Sequence, residues 1–473
     1  MKRFEALLYG FVILVLLLPA LSACNTPQDV IPAAPTTAAA PLSAQPPSIP
    51  SEIQDYVREV VDSENSRGIV VALVTPDGVA YYSYGKTAVD GDPVNERTIY
   101  EIGSVSKVFT TILLSDMVGQ GKMALNDPVQ KYLPEGVTMP GGDAIILEYL
   151  ATQRSGLPGM PDNLDMTKPN LYADYTVDNL HSFLSGYTLT RDPNTQYEYS
   201  NVGMGLLGHV LSLVAGKPYE ELVIERISKP LGMADTRITL SEEQQGRFAK
   251  GHGGDGKVTA YWGFDSLAGA GALRSTATDM ARFVQANLGL YETDLYPAMQ
   301  RTHESHAESG QPGLNMGLGW HIFTGFGAEI VWHNGQTGGF HSFCGFVPSK
   351  KVGVVVLSNS SYDIDLLGLH VLAPEIGLPA IRKVVAVAPA VLETYVGTYE
   401  LTPELFFEVT LEGETLMVQI TGQPVLPVSP SSETEFFYKD VDAQITFEKD
   451  AAGNVVALVL HQGGLDQSAK KIK

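Results

Sequence analysis

Read for the alternation of apolar and polar positions, the chain divides into an apolar opening, a Pro-rich stretch, a long mixed region and a strand-rich end. Ile53, Val57, Val60 and Val61 recur at helical spacing, so a helix is expected near Ser51. Ile69–Val74 and Val79–Tyr84 are apolar runs flanking Pro76-Asp77-Gly78, a β-hairpin signature. Ser104 to Val118 reads as a helix with Val108, Leu113, Leu114 and Met117 inward, and Val202 to Val214 as a second apolar one. Strand signals return at Trp320–Phe323, Ile330–Trp332, Ser342–Val347 and Val352–Leu357. Strands therefore open and close this region while helices fill its middle. That order predicts an α+β domain over residues 51–375, an antiparallel sheet flanked by helices and carrying a helical insert.

The texture then changes. Pro374 to Ala390 is small, apolar and interrupted by three prolines, which marks 376–390 as a linker. From Val391 the pattern is strand-like throughout: Tyr395–Glu400, Phe406–Leu411, Leu416–Ile420, Glu435–Tyr438, Gln444–Phe447 and Val455–His461. Residues 391–473 are expected to form a small all-β barrel or sandwich. Its aromatic residues Tyr395, Tyr399, Phe406, Phe407, Phe436 and Phe437 are assigned to its core in preference to a lid.

The opening is an address. Lys2 and Arg3 precede the apolar stretch Leu7–Leu18, and Leu21-Ser22-Ala23-Cys24 follows with small residues before the cysteine. This order reads as a secretory signal over residues 1–23. Its ending resembles the lipobox of bacterial lipoproteins, which implies cleavage before Cys24 and lipidation of that sulfur, hence an extracytoplasmic, membrane-anchored protein. The alternative is an uncleaved N-terminal membrane helix, at the short limit for spanning. Asn25 to Pro50 holds seven prolines, six alanines and one charge, Asp29. Residues 24–50 thus read as a tether, able to reach ~80 Å at about 3.1 Å per residue.

Composition narrows the chemistry. Lys+Arg 31 against Asp+Glu 53 gives −22, which repels a phosphate backbone and argues against nucleic acid as a partner. With two cysteines in 473 residues there is no disulfide scaffold and no Cys-rich metal centre. Cys344 lies in the apolar Phe343–Phe346 run and reads as a buried small hydrophobe. His303-Glu304-Ser305-His306 lacks the spacing of a zinc helix, so no metal is assigned.

Ser104-Val105-Ser106-Lys107 opens the first long helix. A serine there gains from the N-terminal dipole, and a lysine three residues on stands one turn away. Buried, such an amine loses its charge and can take the hydroxyl proton. The spacing alone is weak, since Ser83…Lys86 and Ser468…Lys471 share it, and taken by itself a helix cap beside a solvated lysine accounts for it better. Context shifts the balance. Tyr199-Ser200-Asn201 precedes the second apolar helix and His333-Asn334-Gly335 follows the Ile330–Trp332 strand. No Gly-x-Ser-x-Gly occurs, which argues against an α/β-hydrolase elbow.

Together these residues resemble the penicillin-recognising serine hydrolases: class C β-lactamases, D-alanyl-D-alanine carboxypeptidases and related esterases. The family order Ser-x-x-Lys, Tyr-x-Asn, and Lys-Thr-Gly or His-x-Gly stands here as Ser104/Lys107, Tyr199/Asn201 and His333/Gly335. Thr152–Pro158, Gly317–Trp320 and Gly271–Ala277 are further stretches similar to the family, and the C-terminal module resembles small lipocalin-like domains appended to some members. The resemblance implies that Ser104 forms an acyl-enzyme on an amide or ester carbonyl, with Lys107 and Tyr199 moving its proton. It places Asn201, His333, Asn334 and Gly335 against the substrate, and assigns the oxyanion hole to the backbone N–H groups of Ser104 and Gln336. No cofactor is implied.

One departure matters: His333 stands where most β-lactamases and transpeptidases have lysine, and a histidine is mostly neutral at pH 7. A substrate carboxylate then loses a cation. The preferred expectation is a carboxypeptidase/endopeptidase acting on peptidoglycan-type peptides, ahead of a β-lactamase or short-chain esterase acting on β-lactams or esters. A lipoprotein that only binds cell-wall fragments is the third reading.

Overall fold

Pro76 and Asp77 turn the chain so that β1 (Gly68–Thr75) lies against β2 (Gly78–Gly85), in the register Thr75 opposite Gly78. Only glycine is comfortable at residue 78, whose φ is +136°. The computed structural model describes residues 46–473, apart from residues 166, 167, 169, 171, 326, 424, 440, 442, 463 and 464. The leader 1–23, Cys24 and the tether as far as residue 45 lie outside the described residues. No helix among the described residues is long and apolar enough to cross a membrane.

The sequence GIVVALVT of β1 is apolar at nearly every position because both its faces are covered. Val70, Ala72 and Val74 enter one core, with Val108 and Leu113 of the helix Ser106–Gly119 and Phe283 of the helix Ala277–Asn287. Ile69 and Val71 enter a second core on the opposite face, with Ile53, Val57 and Val60 of the helix Ser51–Asp62 and Leu367 of the helix Asp365–Leu372.

Two short strands, β3 (Tyr100–Glu101) and β4 (Arg274–Ser275), pair apart from the main sheet. The sheet is completed by β5 (Ala307–Gln311), β6 (Leu314–Met316), β7 (His321–Gly325), β8 (Ala328–Gln336), β9 (His341–Val347) and β10 (Val352–Ser358). Their order is β2-β1-β10-β9-β8-β7-β6-β5, antiparallel throughout. The first strand of the domain therefore pairs with its last. Ser66 Oγ lies 2.9 Å from Ser358 Oγ, 292 residues away. Cys344 is fully buried on β9, and that burial raises its thiol well above its ordinary range.

Helices fill the sequence between β2 and β5, as the α+β reading expected. The helix Asn201–Ala215 is the longest of them, capped by Ser200, whose Oγ accepts from Gly203 N at 2.9 Å. It packs hard against residues 267–269. A Cβ on Gly205 would stand 2.5 Å from Leu267 Cδ2, and one on Gly208 2.9 Å from Gly269 Cα.

The C-terminal module is a closed barrel of β11 (Gly397–Thr402), β12 (Leu405–Glu412), β13 (Thr415–Ile420), β14 (Val425–Pro430), β15 (Glu435–Phe437), β16 (Ala443–Lys449), β17 (Val455–Gln462) and β18 (Leu465–Lys471). Tyr395, Tyr399, Phe407 and Phe436 lie in its core and Phe437 is buried, while Phe406 is only half-buried. Residues 391–395 depart from the strand reading. They belong to a helix, Pro389–Tyr395, which lays Leu392 and Tyr395 into that core. Backbone and side-chain hydrogen bonds tie the barrel and linker to the first domain: Asp363 N to Lys439 O at 3.1 Å, Lys439 Nζ to Glu64 O at 3.1 Å and Asn65 Nδ2 to Arg382 O at 2.9 Å.

Candidate active site

Ser104 sits in a 3-10 turn, Gly103–Val105, and the α-helix proper starts two residues later at Ser106. Gly103 adopts φ +48° and Gly335 on β8 lies directly against this turn. A Cβ at Gly335 would stand 2.0 Å from Ile102 O and 2.9 Å from Ser104 N, and one at Gly103 would stand 2.9 Å from Gln336 N. Two glycines thus let the backbone of the turn at Ser104 and that of the strand end at Gln336 pack directly against each other.

Lys107 points from the first turn of the helix into the same place. It is fully buried, with Nζ 2.9 Å from Ser104 Oγ, 2.7 Å from Asn201 Oδ1 and 2.7 Å from Ala270 O. Burial pushes its pKa well below the ordinary lysine range. Two of its neighbours, Asn201 Oδ1 and Ala270 O, can only accept. A neutral amine satisfies both with its two N–H bonds and turns its lone pair to the Ser104 hydroxyl.

Tyr199 lies over the amine, its ring centroid 4.6 Å from Nζ, and its phenol is close to the Ser104 hydroxyl. Desolvation raises the phenol above its ordinary range, so its resting form is protonated. The loop that carries Tyr199 and Asn201 is cradled by Thr152–Pro158. Gln153 Oε1 accepts from Ser200 N at 2.8 Å, Gln153 O from Glu198 N at 2.8 Å, and Pro158 O from Ser200 Oγ at 2.6 Å. The Gly317–Trp320 stretch braces the helix Ser106–Gly119 from the other side, with Leu318 O accepting from Thr111 Oγ1 at 2.8 Å.

His333 reaches the cleft from β8, its ring 6.4 Å from that of Tyr199. Its Nδ1 lies 2.5 Å from Asn334 O. A carbonyl only accepts, so Nδ1 carries the proton and Nε2 is left as an acceptor. Burial holds this imidazole well below its ordinary pKa, and neighbouring His321 and Lys107 push the same way.

Asn334 is the one residue of the set that the structure turns elsewhere. Side chains alternate across a strand, so with His333 and Gly335 facing the cleft Asn334 faces the opposite side of the sheet. There its Nδ2 donates to Asp365 Oδ2 at 2.6 Å, and it does not reach the Ser104 pocket. Asn201 also has a role the pattern did not reveal, holding Lys107 with Oδ1 and Tyr172 Oη with Nδ2 at 3.2 Å. Other residues were missed altogether. Tyr172 stacks on Phe264 at 4.7 Å and meets Trp262 edge-on at 5.7 Å, an aromatic wall behind Asn201. His321 stacks on His333 at 4.9 Å, and its strand signal gave no hint of that contact.

The model of the Beta-lactamase family matches residues 53–370. The chain belongs to the beta-lactamase family. Residues 381–472 match a domain of unknown function, DUF3471. The chain is 29% identical to the D-alanyl-D-alanine-carboxypeptidase/endopeptidase AmpH of Escherichia coli K12, over 67% of this chain and 87% of that one. It is 27% identical to a penicillin-binding protein of Bacillus subtilis over 89% of this chain and 98% of the relative. A class C beta-lactamase structure superposes with a TM-score of 0.62 at 25% identity, over 70% of this chain and 96% of that one. This family member is a serine hydrolase with a beta-lactamase-type domain and a closed C-terminal barrel.

Proposed function

We propose that the chain hydrolyses acyl bonds through Ser104, and that its substrates are D-alanyl peptides of the peptidoglycan type, cut as a carboxypeptidase/endopeptidase cuts them. The observation that carries this reading is the buried Lys107 amine, 2.9 Å from the hydroxyl and held by two neutral acceptors. Ser104 Oγ attacks the carbonyl carbon while its proton passes to Lys107 Nζ. The resulting oxyanion accepts from the N–H groups of Ser104 and Gln336. Its collapse breaks the acyl bond, and the leaving nitrogen or oxygen takes a proton relayed through Tyr199. Water then attacks the acyl-enzyme by the reverse proton route, releasing the acid and restoring Ser104.

His333 supports the choice of substrate. A neutral imidazole with a bare Nε2 accepts an N–H donor of a peptide but offers no cation to a carboxylate, so it suits an internal peptide bond, cut as an endopeptidase cuts it, better than the carboxylate of a β-lactam or of a terminal D-alanine. A β-lactamase or short-chain esterase activity is the second reading, favoured by the likeness to class C beta-lactamases. The leader and Cys24 add an extracytoplasmic, lipid-anchored location to the proposal, and a peptidoglycan substrate fits that address.

The test is intact-mass measurement after incubation with a penicillin and, separately, with a D-alanyl-D-alanine peptide. Nitrocefin and p-nitrophenyl ester turnover are followed in parallel, with Ser104→Ala as control. A peptide product and a slowly cleared penicillin adduct on Ser104 are expected. Rapid nitrocefin turnover with no peptide cleavage would replace the peptidase by the second reading. Failure of every acylating probe would leave only a protein that binds cell-wall fragments.

A further inference from the structure

On the face of the sheet away from the cleft, one carboxylate joins the two strands that end at the oxyanion hole. Asp365, the first residue of the helix Asp365–Leu372, accepts from Asn334 Nδ2 through Oδ2 at 2.6 Å and from His341 Nε2 through Oδ1 at 2.9 Å. Asn334 is two residues before Gln336 on β8, and His341 is the direct cross-strand partner of Gln336 on β9. The side chain of Gln336 is itself fastened, with Nε2 donating to Ser361 O at 3.2 Å. The backbone that carries this carboxylate is fixed in turn, since Asp365 N donates to Asp363 Oδ1 at 2.8 Å. His341 is buried and lies 3.8 Å from the Asp363 carboxylate as well.

The Gln336 N–H therefore emerges from a strand end anchored at positions 334, 336 and 341, and two of those anchors meet on one residue. We propose that Asp365 is a positioning residue for the oxyanion hole, acting through Asn334 and His341 to hold the Gln336 N–H at its distance from the Ser104 N–H. The proposal rests on the acyl-transfer reading of Ser104. Asn334, which the family motif places beside substrate, acts instead from behind the strand. Geometry at an oxyanion hole is unforgiving, because a displacement of about 1 Å can cost roughly 10²-fold in rate.

The test compares wild type with Asp365→Ala, Asp365→Asn and His341→Gln. Each is assayed for ester kcat and KM, for affinity toward an arylboronic acid, and for hydrogen exchange of the peptide spanning residues 333–341. Boronates form a tetrahedral adduct on the serine, so their affinity reads the oxyanion hole. The expected result for Asp365→Ala is a kcat loss of roughly 10- to 100-fold with KM changed about twofold or less. Boronate affinity should fall by a similar factor, and exchange in 333–341 should accelerate by more than the fall in global stability accounts for. Asp365→Asn keeps one acceptor and should lie between. Wild-type kcat and boronate affinity in Asp365→Ala overturn the proposal while leaving Ser104 chemistry intact. So does an activity loss that merely tracks a lower melting temperature across all three variants. If wild type itself neither binds boronate nor acylates, the function reading fails and this proposal falls with it.

Discussion

Replacing Gly335 by alanine is the sharpest probe of the cleft. The added methyl would meet Ile102 O at 2.0 Å, Ser342 Oγ at 2.6 Å and Ser104 N at 2.9 Å, and two of these three atoms are backbone. Ser342 Oγ also donates to Ile102 O at 2.8 Å, so the serine cannot swing away without leaving that carbonyl unpaired. An ordinary carbon contact begins near 3.4 Å, so the turn and β8 must part by roughly 1 Å or more, at the place proposed for the two oxyanion donors. Losing one such donor typically costs ~10²–10³ in kcat, about 2.7–4 kcal/mol of transition-state stabilisation. Stopped-flow hydrolysis of a p-nitrophenyl ester measures this, with circular dichroism and thermal melting to establish the fold. Gly186→Ala, where an added Cβ meets nothing within 4 Å, serves as the control and should keep full activity. A cooperatively folded Gly335→Ala enzyme within threefold of wild-type kcat would refute the assignment of Ser104 and Gln336 to the oxyanion hole.

Other expectations concern the proton carriers and the buried groups. Lys107→Met should lower the acylation rate by about 10²–10⁴-fold, read as loss of the burst with an activated ester. Because burial depresses the Lys107 pKa, the amine is the base only above its folded-state value, so kcat/KM should decline on the acid side. In Lys107→Met that limb should vanish from the residual rate. His341 titrates in the opposite sense. Asp365 and then Asp363 raise it from 6.5 to about 9 against the opposing effect of burial, so its contribution to stability is complete below pH 6.5 and disappears as pH rises through 9. The gap in melting temperature between wild type and His341→Gln should accordingly narrow between pH 6.5 and 9. Cys344, buried with its thiol pKa raised, should resist iodoacetamide in the folded protein and react on unfolding, as peptide mapping of residue 344 would reveal.

Much of this architecture could be read from pattern alone, for identifiable reasons. The hairpin around Pro76-Asp77-Gly78 has local turn chemistry, and β9 and β10 are apolar enough to stand out. Strands β5 and β6 did not, since AESGQ and LNM at the sheet edge carry few apolar residues. In the barrel, β14 contains prolines and β18 is largely polar, and neither was legible until its partners were known. The helix Pro389–Tyr395 was hidden by the β-branched and aromatic residues of the strand that follows. Motif spacing located Ser104, Lys107, Tyr199, Asn201 and His333. The direction of Asn334 was available too, because a strand that turns His333 and Gly335 to one side must turn the residue between them to the other. The partners on that far side, His341 and Asp365, come from other segments and leave no local signal.

The pairing of β1 with β10 sets the order in which this polypeptide can mature. In a chain that emerges N-terminus first, β1 can pair with β2 on one edge while it still offers bare amide and carbonyl groups on the other. Those groups wait for residues 352–358, nearly the whole length of the domain later. Such late closure makes for slow folding and a prolonged risk of wrong edge pairing. A nascent chain stalled short of Val352 would be a natural client for a chaperone that shields open strands.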